Sequence, residues 1–269
     1  MHVVRSRRQL QHSWLTVSPG TETDWFNKRE FHDSCALRYS WTPLDLPEHC
    51  PCGKQNSVAH TQSCKIGGFI HIKHDEIGQV CFGFARQVAN DVEWEPGLQK
   101  LSDSKKRELQ AWMKSTNVED DARSDLRVRG LFTRGQNAYF DFRVVNPIAD
   151  SHFNTQMDAL LKKNERSKYR EYMKRILEVE HGSFHPVVFS AEGHAGIGAQ
   201  VLLKTLAMKL AEKRGEKLSQ VITRIRVRLS FALRRSALLC LRGSRRNKKG
   251  WDYEKAADLF AAETNSAFN

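Results

Sequence analysis

Two short runs, "SDLRVRGLF" (124–132) and "NAYFDFRVV" (137–145), restrict this chain more than any other feature. In a strand, successive side chains point to opposite faces. Leu126 and Val128 therefore oppose Asp125, Arg127 and Arg129, while Phe140, Phe142 and Val144 oppose Tyr139, Asp141, Arg143 and Val145. The intervening "TRGQ" carries Gly135, which suits a tight hairpin. A hairpin of this pattern requires a sheet with a covered apolar face, and it brings the Asp125 strand beside the Asp141 strand. An aspartate in so apolar a strand is costly unless it meets a cation, a metal or hydrogen-bond donors.

Flanking patterns extend the sheet into an α/β core. Ile77, Val80, Cys81, Phe84 and Val88 recur on one helical face between about 72 and 90, and "DVEWEPGLQKL" (91–101) reads as a short strand. The interval 102–120 reads as a polar loop with room for a short helix. Helical patterning runs through about 154–180, "FHPVVFS" (184–190) is a further strand, and helices are expected over about 198–214 and 217–242. The order helix, three strands, helix, strand, two helices points to a mixed sheet flanked by helices. The domain reading is a lead-in (1–47), a Cys/His segment (48–68), the α/β core (69–195), a basic helical extension (196–243) and a polar tail (244–269).

Forty-three basic against 31 acidic residues leave a net charge of +12. That balance favours a polyanionic partner such as nucleic acid, although a merely basic soluble protein has the same total. Ten Lys and Arg and no acid lie between Val221 and Lys249. The N-terminal stretch lacks the apolar core of a signal peptide, and there is no apolar run long enough to span a membrane. The expectation is an intracellular, non-membrane protein, with "RGSRRNKKG" (242–250) as either a flexible nucleic-acid contact or a nuclear-import signal.

In such a compartment six cysteines are thiols or metal ligands, not a disulfide framework. Cys50, Cys52, His60 and Cys64 form a C-x-C-x7-H-x3-C array able to close a tetrahedral, structural zinc site. The C-x-C step is tighter than the usual C-x2-C, and scattered cysteines near a surface histidine are the alternative. Cys35, Cys81 and Cys240 read as buried apolar thiols.

Glu76, on the helix before the sheet, has a phase that could turn it toward Asp125 and Asp141. Three carboxylates from a helix and two strands make an oxygen site for Mg²⁺ or Mn²⁺, with Arg143 or a lysine of the next helix to meet charge on a phosphate. An Asp/Arg network on a half-exposed sheet is the competing reading.

The arrangement resembles the restriction-endonuclease-like PD-(D/E)XK nucleases. "LPEHCPCGKQNSVAHTQSCKIGGF", "KHDEI", "DARSDLRVRG", "YFDFRVVNP", "HGSFHPVVFS" and "RLSFALRRSALLCLRGSR", in that order, are similar to C-terminal regions of non-LTR retrotransposon proteins, where a CCHC zinc knuckle precedes such a nuclease. The likeness covers about 31–246. It implies a metal-dependent DNA endonuclease in which Glu76, Asp125 and Asp141 hold Mg²⁺ or Mn²⁺; the alternative it leaves is an inactive nucleic-acid-binding relic. Arg143 stands where the motif has lysine, and Ser124 where it has proline. The resemblance implies a lysine from the following helix, where "LKKNERSKYREY" offers Lys162, Lys163 and Lys168, and its "KY" pair singles out Lys168.

Arg228, Arg235 and Arg242 recur every seven residues opposite Leu229, Leu233, Leu238 and Leu241. This stripe is either a phosphate-tracking face or a solvated helix face packed on the nuclease core, and the two readings are compatible. His181, His185 and His194 are given no role.

Overall fold

The structure, a computed structural model, describes residues 10, 13–17, 25–112, 118–152 and 154–243, apart from the side chains at 111, 112 and 150. The elements in chain order are α1 (Ser13–Thr16), α2 (Lys28–Tyr39), α3 (Val58–Thr61), α4 (Phe69–Val88), β1 (Val92–Trp94), α5 (Asp103–Trp112), β2 (Leu126–Arg129) and β3 (Asn137–Val145). They continue with α6 (Met157–Glu178), β4 (Ser183–Ser190), α7 (Ile197–Arg214) and α8 (Leu218–Arg242). The tail expected over 244–269 lies outside the described residues, as does most of "RGSRRNKKG".

The strands form one four-stranded mixed sheet in the order β1-β2-β3-β4. The first three make an antiparallel meander, and β4 runs parallel to β3 after the crossover through α6. The hairpin connection is longer than the sequence suggests, because β2 ends at Arg129 and Gly130 N–H donates to Gln136 O at 2.8 Å. Gly130 and Gly135 both take positive φ in this loop.

The alternation on β3 divides the layers. Ala138, Phe140 and Phe142 join a core with Ile77, Cys81 and Ala85 of α4, Leu202 and Leu206 of α7, and Ile225, Leu229 and Leu233 of α8. On the other face Tyr139 packs with Tyr172 and Ile176 of α6, and Val145 with Leu160 and Leu161. Asp141 belongs to this α6 side. Gly78 brings α4 close to β1, because a Cβ there would run into the Trp94 ring.

The apolar side of α8 continues around most of the helix: Ser230, Ala232, Ser236, Ala237 and Cys240 are buried along with the leucines. Instead of extending from the core, α8 lies within it, against α4, α7, α1 and α2. The sequence reading leaves residues 1–47 without regular structure; α2 forms there, closed by an Asn27–Glu30 capping box. No helix among the described residues is long and apolar enough to cross a membrane.

Candidate metal centre and acidic site

A short antiparallel bridge, His49 to Gln55, folds the Cys/His segment back on itself, with Gly53 at positive φ in the turn. Helix α3 follows, its Ser57 side chain accepting from His60 N–H. These turns bring one ligand atom from each of Cys50, Cys52, His60 and Cys64 within 4.8 Å of one another. Cys50 Sγ and Cys64 Sγ are 3.8 Å apart, and Cys52 Sγ is 3.2 Å from His60 Nε2. The sulfur spacing is far too long for a disulfide. It matches the tetrahedral edge of roughly 3.8 Å expected for Zn–S bonds of about 2.3 Å.

The cluster can therefore hold a metal ion such as zinc. Burial pushes the Cys50 thiol up, while the Lys54 backbone N–H pulls Cys52 down, toward the thiolate that a metal needs. The segment is tied to the core through residues 59–63: Asn146, just after β3, donates to Ala59 O and Ser63 Oγ, and Gln62 donates to Ala237 O of α8. Lys73, buried in α4, donates to the Gln62 side chain at 2.9 Å.

The sheet supplies the second group. Because Leu126 pairs with Phe140, Asp125 lies opposite Asp141 across the β2–β3 ladder. Asp125 Oδ2 accepts from Phe142 N–H and lies 2.9 Å from His74 Nε2; His74 Nδ1 in turn meets Asp75 at 2.9 Å. Asp141 is 3% exposed and faces Lys168 of α6, whose Nζ is 3.2 Å from Oδ1 and 3.0 Å from Oδ2. The hydrogen bond is directed to Oδ1, so buried Oδ2 has ion-pair contact but no directed hydrogen bond among the described residues. Ser124 Oγ, next in sequence to Asp125, is likewise buried without a hydrogen-bond partner.

The electrostatics follow from this crowding. Burial raises the Asp141 carboxyl to about 6, the nearby Asp125 charge adds to the rise, and Lys168 opposes it. Burial works against the His74 imidazolium, but hydrogen bonds to Asp125 and Asp75 outweigh it and raise His74 to about 10. Burial likewise works against the Lys168 ammonium, and the Asp141 charge more than compensates. The site thus holds two neighbouring carboxylates, each with its own cation.

Of the residues expected here, the structure brings Asp125, Asp141 and Lys168 together. Glu76 turns elsewhere: burial raises its carboxyl, and the charges of Arg235 and Arg228 on α8 oppose the rise. The reason is helical phase: Glu76 sits about 200° around α4 from His74, so only one of them can face the sheet. His74 was readable from the sequence, since it lies three residues before Ile77, on the core side of the helix. Arg143 is exposed and makes no ion pair among the described residues, so Lys168 takes the place beside Asp141. Arg127 is held by Asp91 and Glu93 and does not pair with Asp125.

The arginine stripe of α8 is occupied within the molecule. Arg242 forks onto both oxygens of Asp33 at 2.7 Å and also donates to Leu44 O and Asp45 O. Arg235 donates to Trp25 O and lies over the Phe26 and Phe231 rings. Arg228 faces Glu76. The heptad spacing of these arginines serves to fasten the N-terminal segment to α8 and to balance Glu76, so it is not a free phosphate-tracking face. Comparison with protein-family models and with curated protein sequences finds no match.

Proposed function

We propose that this chain is a metal-dependent endonuclease domain of the restriction-endonuclease-like class, hydrolysing phosphodiester bonds in DNA. The observation that carries the reading is the cross-strand pair Asp125 and Asp141 with Lys168 delivered from the crossover helix. The mixed four-stranded sheet flanked by helices, with Asp125 leading into the second strand and Asp141 on the third, is compatible with that reading.

A divalent cation fits the donor set. Asp141 Oδ2 is buried beside the Lys168 ammonium at 3.0 Å with no directed hydrogen bond among the described residues, and burial first, then the like charge of Asp125, raises the Asp141 carboxyl. Asp125 and Asp141 would hold Mg²⁺ or Mn²⁺ through oxygen, as such hard ions prefer. The chemistry such an ion supplies is polarisation of the phosphoryl oxygen and a lowered pKa for water. Lys168 offsets part of the rise in the Asp141 carboxyl and carries an ammonium that can meet charge developing on the phosphate. Arg143, exposed and on the same strand face, is free to contact a neighbouring phosphate.

One observation favours a second reading, a nucleic-acid-binding relic without catalysis. His74, a cation, stands against Asp125 where the motif supplies a third acid. Nicking of supercoiled plasmid with Mg²⁺ or Mn²⁺ separates the two. Activity in the wild type that is lost in Asp125→Asn and Asp141→Asn supports the nuclease. Equal nicking in all three refutes it, and DNA binding with no nicking favours the relic.

A further inference from the structure

On the solvent side of α6, Lys162, Lys163, Arg166 and Arg170 are all exposed. Other cations of the same helix are engaged: Lys168 with Asp141 and Glu171, and Lys174 with Glu108. These four make no ion pair with any described residue. The helix's own acids form no ion pair with them among the described residues: Glu165 is buried and accepts from Gly198 N–H at the start of α7, Glu171 meets Lys168, Glu178 pairs with Lys105, and Asp158, in the first turn, offsets at most one of the four charges. Tyr169 stands among the four, 38% exposed, with one edge against Phe184. Together with Ala159, these five side chains line an open depression of about 640 Å³.

The surface is polyvalent, uncompensated and rigidly spaced on a helix held by the sheet. From 162 to 170 it runs roughly 12 Å, the axial length of three to four nucleotides of one duplex strand. Arg166 and Arg170 each lie about 200° around the helix from Lys168, so they face away from the carboxylate pair. They cannot meet the same phosphate that Lys168 meets.

We propose that this outer face of α6 is a phosphate-tracking surface that grips the DNA backbone flanking the bond to be cut. The proposal rests on the reading of DNA as substrate and adds where the duplex is held. It replaces the α8 arginines, which are used inside the molecule, with a surface whose Lys162 and Lys163 figure in the sequence only as alternatives to Lys168.

The test measures binding of a short fluorescent DNA duplex by the full chain carrying Asp141→Asn, which blocks cutting without stripping zinc with a chelator. In that background Arg166→Gln with Arg170→Gln removes two phosphate contacts. Affinity then falls roughly 30-fold at about 0.15 M salt, and the slope of log K on log salt becomes shallower by about 1.8. Lys204→Gln with Lys209→Gln, an equal charge change on α7, alters neither. Thermal unfolding confirms that both pairs fold.

Unchanged affinity and slope in the α6 variant, or an equal loss in both variants, overturns the inference while leaving the nuclease reading intact. Absence of DNA binding by the parent chain overturns that reading itself. Binding to phosphatidylserine vesicles through these residues, with none to DNA, assigns the face to a lipid surface and likewise overturns the proposal.

Discussion

Replacing Asp141 with asparagine keeps the shape of the side chain and removes a charge that the fold resists. Its carboxyl titrates at about 6 against 3.8 for the free group, because burial first and Asp125 second disfavour the anion, and Lys168 repays only part of this. Two units correspond to about 3 kcal/mol. The folded state binds this proton more tightly than the unfolded chain does, so the native protein loses stability as pH rises from about 4 through about 6. Above that the deficit is complete. Asp141→Asn should therefore raise stability by up to about 3 kcal/mol near pH 8, a gain of several degrees in Tm, with the difference vanishing near pH 3.5.

The opposite expectation follows if the Asp141–Lys168 contact is treated as an ordinary buried ion pair, whose rupture costs about 3–5 kcal/mol. Lys168 keeps Glu171 at 3.3 Å and retains 18% exposure, so it is not stranded by the change. Thermal melts of both proteins across this pH range decide between the two. A lower Tm for the variant near pH 8, or a difference independent of pH, would refute the reasoning.

Two further outcomes are expected. Arg242→Ala leaves Asp33, whose side chain is 3% exposed, without its forked partner and should cost about 3–5 kcal/mol in denaturant titration; Asp33→Asn in the same chain should restore part of that loss, and DNA affinity should not change. The purified chain should carry one zinc per molecule by elemental analysis, and Cys64→Ser should lose it and lower Tm; a metal-free native protein of undiminished stability would count against the site.

The sequence disclosed those parts of the fold whose signals are local. Alternation in "NAYFDFRVV" and the glycines near 130–135 identify the hairpin and put Asp125 beside Asp141, because strand register fixes which residues share a face. The Cys/His spacing likewise contains its own geometry. The helix contributes His74 and not Glu76 because the helical phase counted back from Ile77 puts His74 on the core side. Helix α2 escaped notice because "KREFHDSCALRY" has no continuous apolar face, and its capping box and contacts with α8 support it instead. The α8 arginines are ambiguous in the sequence for a related reason. A seven-residue repeat shows that residues share a face, but the face is covered by Asp33, Trp25 and the 44–45 carbonyls, whose partnership spans most of the chain.

That clasp bears on how the molecule comes to be assembled. Asp33 and Arg242 are 209 residues apart. At ordinary rates of synthesis, of about 5–20 residues per second, the aspartate leaves the ribosome roughly 10–40 s before the arginine exists. During that interval the segment around α2 has no final docking place, and a chain halted before α8 would display its aromatic side chains to solvent. Nascent chains stalled at that stage should be cut by protease near 25–45 and become resistant only when the last turn of α8 is added.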